Sequence, residues 1–404
     1  MIQSLLHGLK IEPTHDESAR QEFVSCLRGY ILVDMATTMN RRYEEIVAPR
    51  FERENKRLPC DGPEAHRAMK GDLYFKFYSS VRYNAQEMVW RSVIPVVERN
   101  LDDLIGQARE LRDDSGKDSG SVRLDSDIQI PHNVSEFDVH LSPGSYHTEY
   151  APDDVAAGAI YDNGLNIFSA NMMGDNLDDI GESMSNYVRL NYPDFHPKKI
   201  LDCGCTIGHN SAAWAKTFPN ARVHAIDVSA PLLRYGNARA QSQGVAVRFR
   251  QMDATALQFE DDSFDVVFTS MFLHELPLKD IHKFMAEAYR VLKPGGLLLN
   301  MELPPNDQMK AYDSFYLDWD SYYNQEPFYK CFRDQNYKEL CTRAGFDPDK
   351  CVQFVMPQFG YMDEADFKST IGASVDIDDK VGRLTAGINW FGFGAWKEER
   401  EPGA

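Results

Sequence analysis

Residues 198–218 read KKILDCGCTIGHNSAAWAKTF, and this stretch decides the fold. A short apolar run, Ile200-Leu201, ends at Asp202-Cys203. The chain then turns through Gly204-Cys205-Thr206-Ile207-Gly208 and enters a helix-forming segment, SAAWAKTF, at once. Gly204 and Gly208 let the backbone bend tightly and approach a ligand where a Cβ would clash. The helix start offers free N–H groups. A glycine turn is weak evidence alone, and the next strands strengthen it. Asp227 closes ARVHAID, 19 residues after Gly208, where a carboxylate can accept both hydroxyls of a ribose. Asp253 closes VRFRQMD, where it could accept from an exocyclic adenine amine. Three acids ending successive strands would line one edge of one sheet.

The same texture continues outward. KILDCG, ARVHAID, VRFRQMD, FDVVFTS and GGLLLNMEL are short apolar runs separated by segments of helical pattern. Strands alternating with helices predict an α/β, doubly wound, mostly parallel sheet covered on both faces. KCVQFVMPQFG and GINWFGFGAWK add two strands without an α/β crossover and predict a hairpin at the sheet edge, for seven strands in all. Ligands of such sheets sit above the carboxyl ends of the strands. Upstream, 17–55 and 63–112 are rich in helix formers, RDDSGKDSGS (112–121) is a polar boundary, and 122–196 is loop-rich.

Composition narrows the function classes. The chain has 404 residues, is 43% hydrophobic and 26% charged, and carries 43 basic against 62 acidic side chains for a net charge of −19. That balance is globular, and the negative surface repels phosphate backbones, so nucleic acid is not an expected partner. No apolar run approaches the ~18–20 residues that span a bilayer, so no membrane is expected either. The start, MIQSLLHGLK, is too short and too polar for a secretion signal. Seven scattered cysteines without a CxxC read as reduced thiols in a cytoplasmic protein. The lone CxC, Cys203 and Cys205, has no nearby Cys or His to complete a site, and no metal is expected.

Five motifs in order, LDCGCTIG (201–208), AIDVS (225–229), MDATAL (252–257), FEDDSFDVVFTSMFLHELP (259–277) and EAYRVLKPGG (287–296), resemble the class I S-adenosylmethionine-dependent methyltransferases. Within them the chain is most similar to the small-molecule branch that includes the ubiquinone/menaquinone C-methyltransferases. Thr206 stands where the pattern D-x-G-x-G-x-G has its middle glycine, and its Cβ narrows the loop. The resemblance implies that Asp202 and the Gly204–Gly208 turn, with Cys205 and Thr206, hold the methionine part of S-adenosyl-L-methionine. Asp227 and Val228 would hold the ribose, Asp253 and Ala254 the adenine, and Thr269 or Ser270 would lie near the sulfonium. In similar enzymes the segment before the first strand covers the cofactor, which puts Tyr150, Tyr161 or Phe168 near the methionine end or leaves them tying the helical region to the sheet. The implied division is a helical cap or dimerisation domain (1–112), a linker and cofactor-covering segment (113–196), and a catalytic domain (197–404) with an aromatic insertion at 304–334. A dinucleotide dehydrogenase is the competing enzyme, disfavoured because the turn lacks the full G-x-G-x-x-G.

The expected activity is in-line methyl transfer to a small-molecule acceptor, in which positioning and exclusion of water do much of the work. A neutral acceptor can also need a base. His274 is the candidate base, with Glu275 beside it, unless the pair caps the next helix. Glu302 ends the fifth strand at the cleft, to act there or to bond loop backbone. The insertion carries Tyr312, Tyr316, Trp319 and Tyr323 at helical spacing, read as a substrate lid or as a stripe docking on the core. Its acids Asp313, Asp318 and Asp320 would suit a cationic acceptor or form a solvated face. A binding or scaffold protein of the same fold, or non-methylating use of the cofactor in a cyclisation or isomerisation, is the alternative.

Overall fold

The computed structural model describes residues 5–113, 120–371, 377–378, 380–384 and 387–399. Most of the polar boundary at 112–121 lies outside them. Eight strands form one sheet: β1 (Ser121–Arg123), β2 (Lys199–Cys203), β3 (Arg222–Asp227), β4 (Val247–Gln251), β5 (Phe264–Ser270), β6 (Leu292–Glu302), β7 (Cys351–Pro357) and β8 (Asn389–Trp396). Their order is β1-β4-β3-β2-β5-β6-β8-β7, and β8 alone runs antiparallel to its neighbours. The seven expected strands are present, with the final pair at the edge. The three-residue β1 is an addition: it lies in the loop-rich segment and extends the sheet beyond β4. Three exposed or half-exposed residues, Ser121-Val122-Arg123, are too few for a periodic signal.

Both faces of the sheet are buried, as near-continuous apolar strands require. Along β5, Val266 and Phe268 pack into one core and Val267 into the other; along β6, Leu297 and Leu299 alternate with Leu298 in the same way. The connections run from β2 through β3 to β4 on one side, then return to β5 and β6 on the other. The reversal sits between β2 and β5, where the carboxyl ends open a crevice.

The N-terminal region is helical, as expected. His15–Tyr30 starts at a capping box: Thr14 Oγ1 accepts from Glu17 N–H while Glu17 accepts from Thr14 N–H. The helical path continues to Asn55 through two π-turns, Ile31–Met35 and Tyr43–Val47. Leu73–Arg99 is a 27-residue helix, about 40 Å long. It crosses the Ala156–Phe168 helix so closely that a Cβ on Gly164 would meet the Trp90 ring at 2.4 Å. The insertion helix Ala311–Tyr323 docks on the same long helix: Trp319 Nε1 donates to Ser79 Oγ at 2.9 Å, and the Tyr78 and Tyr316 hydroxyls lie 3.3 Å apart. Helical region, insertion and sheet therefore meet above the crevice.

Candidate active site

A cavity of about 240 Å³ fills that meeting point. From the sheet it is lined by Asp202, Gly204, Cys205 and Thr206 after β2, by His209 and Asn210 at the next helix start, and by Ser270, Met271 and His274 after β5. Helical elements close the other side with Arg28, Arg82, Trp90, Tyr161, Phe168 and Asp320, among others.

The turn after β2 is shaped by its own side chains. Asp227 Oδ2 accepts from Thr206 N–H at 2.9 Å and Asp227 Oδ1 from Ser229 N–H at 3.0 Å, so the tip of β3 clamps the turn. Asp202 Oδ2 accepts from Ser211 Oγ at 2.5 Å. Neither carboxylate has a cationic partner among the described residues. Burial pushes Asp202 up to about 7 and Asp227 up to about 6. The two glycines answer to packing as well as to conformation. Both have positive φ, +74° at Gly204 and +76° at Gly208. A Cβ on Gly204 would strike the Phe272 ring, and one on Gly208 the Phe249 ring. Gly208 is outside the cavity lining, and its lack of a Cβ makes room for the Phe249 ring.

Asp227 and Asp253 sit at the tips of adjacent strands, with Met252 N–H donating to Asp227 O. Asp253 Oδ1 accepts from Thr255 N–H at 2.7 Å, and Ala254 is buried. These residues and Val228 lie beside the cavity rather than in its wall. The segment from β1 to Tyr150 runs across the same tips. Asp125 N–H donates to Gln251 Oε1, Gln251 Nε2 to Val228 O, Ser229 Oγ to Tyr146 O, and Asn133 Nδ2 to Glu275 O. Tyr146 and Tyr161 pack edge to face, and Tyr161 reaches the Thr206 side chain. Burial raises the Tyr161 phenol to about 12, which leaves it a neutral donor. Tyr150 is 62% exposed and outside the cavity, because its N–H is drawn to Asp154 instead.

At the tip of β5, Thr269 is spoken for: its hydroxyl donates to Asn300 Oδ1 between strands. The alternation of the strand turns Ser270 to the cavity instead, with no partner for its buried hydroxyl among the described residues. Glu302 is fully buried. Its Oε1 accepts from the N–H groups of Phe272 and Leu273 and its Oε2 faces His274 Nδ1 at 2.6 Å, so it bonds the loop and does not reach the cavity. Burial opposes charge on His274, but Glu302 and Glu275 outweigh it and hold the imidazole well above its ordinary range. Both ring nitrogens of His274 thus face carboxylates, Nδ1 that of Glu302 and Nε2 that of Glu275. His274 also lines the cavity. His209 is the opposite case: burial and Arg239 lower it, so it stays neutral and faces Asp162 at 2.8 Å.

Sequence reading missed His140. Its backbone is in the left-handed region at φ +56°. Its carbonyl accepts from Trp90 Nε1 at 2.7 Å and Gln86 Nε2 at 3.0 Å, and Nε2 faces Glu275 and Glu326 at 3.3 and 3.4 Å. Ligand-type atoms of these three residues lie within 4.8 Å of one another. No local spacing could have disclosed a group drawn from three distant segments, and the imidazole already pairs the acids.

Of the two readings of the insertion, the aromatic stripe follows the docking one and not the substrate lid. Tyr312, Tyr316 and Trp319 are 6%, 5% and 2% exposed in the core shared with the N-terminal helices, and Tyr323 packs at its edge. The opposite face of the helix, through Leu317, Asp320 and Ser321, followed by Asn324, forms the cavity wall. Asp313, Asp318 and Asp320 are paired with Arg383, Arg333 and Arg82, not solvated and not free for a cationic acceptor.

The residues at the strand tips suit the adenosyl donor that the motifs imply: two carboxylates without counter-ions beside a positive-φ turn, and an orphan hydroxyl at Ser270. Residues 200–296 match the family model described as a methyltransferase domain. The chain is 37% identical over 109 residues to the demethylmenaquinone methyltransferase of Thermus thermophilus, covering 27% of this chain and 49% of that protein. It is 32% identical over 171 residues to the ubiquinone/menaquinone biosynthesis C-methyltransferase UbiE of Dinoroseobacter shibae, covering 38% of this chain and 68% of that one. It thus spans about half the length of the first relative and about two thirds of the second. A solved phosphoethanolamine N-methyltransferase 2 of Haemonchus contortus overlaps at a TM-score of 0.39 and 20% identity, over 58% of this chain and 57% of that one. Motif order, sheet order and the coverage of the UbiE relative agree: the chain belongs to the class I S-adenosylmethionine-dependent methyltransferases.

Proposed function

We propose that this protein transfers a methyl group from S-adenosyl-L-methionine to a small-molecule acceptor held in the cavity between the strand tips and the helical region. The observation that carries the reading is the opening of the Asp202–Thr206 turn, clamped by Asp227, onto the cavity. Asp227 would accept the ribose hydroxyls through its remaining lone pairs, and Asp253 and the Ala254 backbone would face the adenine. Asp202 would balance the positive charge of the methionyl part, with Tyr161 and Thr206 beside it. When bound, the cofactor supplies a methyl on a cationic sulfur. The protein supplies position and dryness: Tyr146, Tyr161, Phe168 and Tyr329 exclude water, while the Ser270 hydroxyl offers a donor that orients an acceptor. Each imidazole at the cavity already faces a carboxylate: His209 faces Asp162, His274 faces Glu302 and Glu275, and His140 faces Glu275 and Glu326. This favours an acceptor that reaches the cavity already deprotonated.

The N-terminal helices act in this reading as the cap of the cleft, and 120–196 as the cofactor cover. Exposed Phe23, Leu73 and Phe77 leave an apolar surface for a homodimer, which light scattering decides. Among the described residues no helix is long and apolar enough to cross a membrane. Calorimetric titration with S-adenosylhomocysteine tests the donor site: micromolar binding supports it, and none refutes it. Mass spectrometry of incubations with S-adenosylmethionine and candidate acceptors separates transfer from mere binding through S-adenosylhomocysteine formation.

A further inference from the structure

Arg28 lies in the wall of the cavity and is 0% exposed. Its Nε donates to Phe168 O at 3.3 Å and its Nη1 to Gln86 Oε1 at 2.9 Å; the guanidinium lies 4.1 Å from the centre of the Phe168 ring. All these partners are neutral. Its Nη2 has no partner among the described residues. Arg82, also buried, donates to the same Gln86 oxygen at 3.1 Å and spends its charge on Asp320, at 2.6 Å from Nε. Two guanidinium groups thus share one amide oxygen and one carboxylate. A buried cation without a counter-ion costs several kcal/mol. Burial and Arg82 both drive the Arg28 pKa well below its ordinary value. Among Arg28, Arg82 and Asp320 one positive charge is in excess, and it faces the cavity.

We propose that the Arg28 end of the cavity is a subsite for a monoanion, and that the methyl acceptor carries the carboxylate-class group that fills it. The proposal rests on the reading of the cavity as a methyl-transfer site. One positive charge fits a monoanion better than a phosphate dianion. Position separates the subsite from the cofactor turn. Tyr161 reaches Thr206 on that turn, whereas Arg28 lies over Phe168, seven residues and two helical turns further on, about 10 Å along the axis. Arg28 comes from the N-terminal helix, outside the motifs shared with relatives, where a determinant of acceptor choice belongs. One turn later the helix changes pitch at Ile31–Met35, and Leu32 in that segment also lines the cavity. The aromatic and aliphatic walls leave room for an apolar body on the anion.

The same chemistry could come from the carboxylate of the cofactor's own amino-acid part, and the test separates the two sources. Protein saturated with S-adenosylhomocysteine is titrated with benzoate and with neutral benzamide. We expect benzoate to bind about tenfold or more tightly, and Arg28→Gln to erase the difference while Arg28→Lys keeps part of it. Equal binding of benzoate and benzamide by the unaltered protein overturns the subsite, and so does a preference that survives Arg28→Gln. S-adenosylhomocysteine and 5′-methylthioadenosine, which lacks the amino-acid part, are titrated into the same variants. If Arg28→Gln weakens the first and spares the second, the anion is the cofactor's and the acceptor assignment falls. Binding of S-adenosylhomocysteine to the unaltered protein reports on the methyl-donor reading alone, whichever way benzoate behaves.

Discussion

The cavity has two walls of opposite surplus charge. At the strand tips, Asp202 lines the cavity and Asp227 lies beside it; both are buried acids without a cationic partner among the described residues, pushed up to about 7 and about 6 by desolvation. On the helical side, Asp320 is bound by Arg82, and Arg28 is the charge left over. A core built only for stability would have matched these charges to each other or replaced them with apolar groups. Set on opposite sides of the cavity, they would suit a ligand that brings a cation to one side and an anion to the other. The cationic sulfur and ammonium of the methyl donor suit the first wall. The second is the one that would choose the acceptor.

The largest expected effect breaks the acidic wall. Asp227→Ala removes the acceptor for two ribose hydroxyls and should weaken S-adenosylhomocysteine binding by about 100-fold or more, read by calorimetry. Unchanged micromolar affinity would contradict the ribose assignment. Next, the same type of change should have opposite signs in the two walls. Asp320→Asn strands Arg82 beside Arg28 and should cost about 3 kcal/mol in denaturant unfolding. Asp202→Asn should instead raise the melting temperature of the ligand-free protein at pH 8, by about 2 °C or more. The sign follows from linkage. The folded pKa of Asp202, about 7, exceeds the unfolded value of 3.8, so its contribution to stability falls as pH rises between those values and is a liability above them. Equal signs in both walls would remove the distinction.

A smaller effect sharpens it through pH. If the ionised form of Asp202 receives the cationic donor, affinity for S-adenosylmethionine should fall about tenfold between pH 8 and pH 6, and Asp202→Asn should flatten the profile near its low-pH end. A pH-independent affinity in the unaltered protein would place the donor's charge elsewhere. The smallest effect concerns Thr206, a non-glycine residue at φ +49°. Thr206→Gly relieves that strain and should stabilise the fold by up to about 1 kcal/mol without loss of cofactor affinity.

The two walls also differ in how well a sequence discloses them. The acidic wall is local. Each acid ends an apolar run and a strand fixes its place at the sheet edge, with a glycine turn after the first, so Asp202, Asp227 and Asp253 could be placed by strand register alone. The basic wall is assembled by docking. Arg28, Arg82, His140 and Asp320 come from four segments, and nothing in their spacing says that they meet. The insertion shows the difficulty at one helix. Its periodicity announces a helix correctly, but the aromatic stripe marks the face that packs on Leu73–Arg99, and the cavity receives the plainer face with Leu317, Asp320 and Ser321. Rotamer-scale facts were also out of reach. Thr269 and Ser270 are neighbours in sequence, yet one bonds Asn300 across the sheet and the other opens on the cavity. Likewise, the sequence offers His274 after β5 as a base, and only the fold shows Glu302 and Glu275 on either side of its ring.

The most direct measurement is a crystal structure with S-adenosylhomocysteine bound. The account predicts the ribose hydroxyls on Asp227, the amino-acid part against the Asp202–Thr206 turn, and the sulfur open to the space bounded by Tyr161, Ser270 and His274. An adenosyl group lodged away from the tips of β2 and β3, or a sulfur that cannot see the cavity, would contradict it.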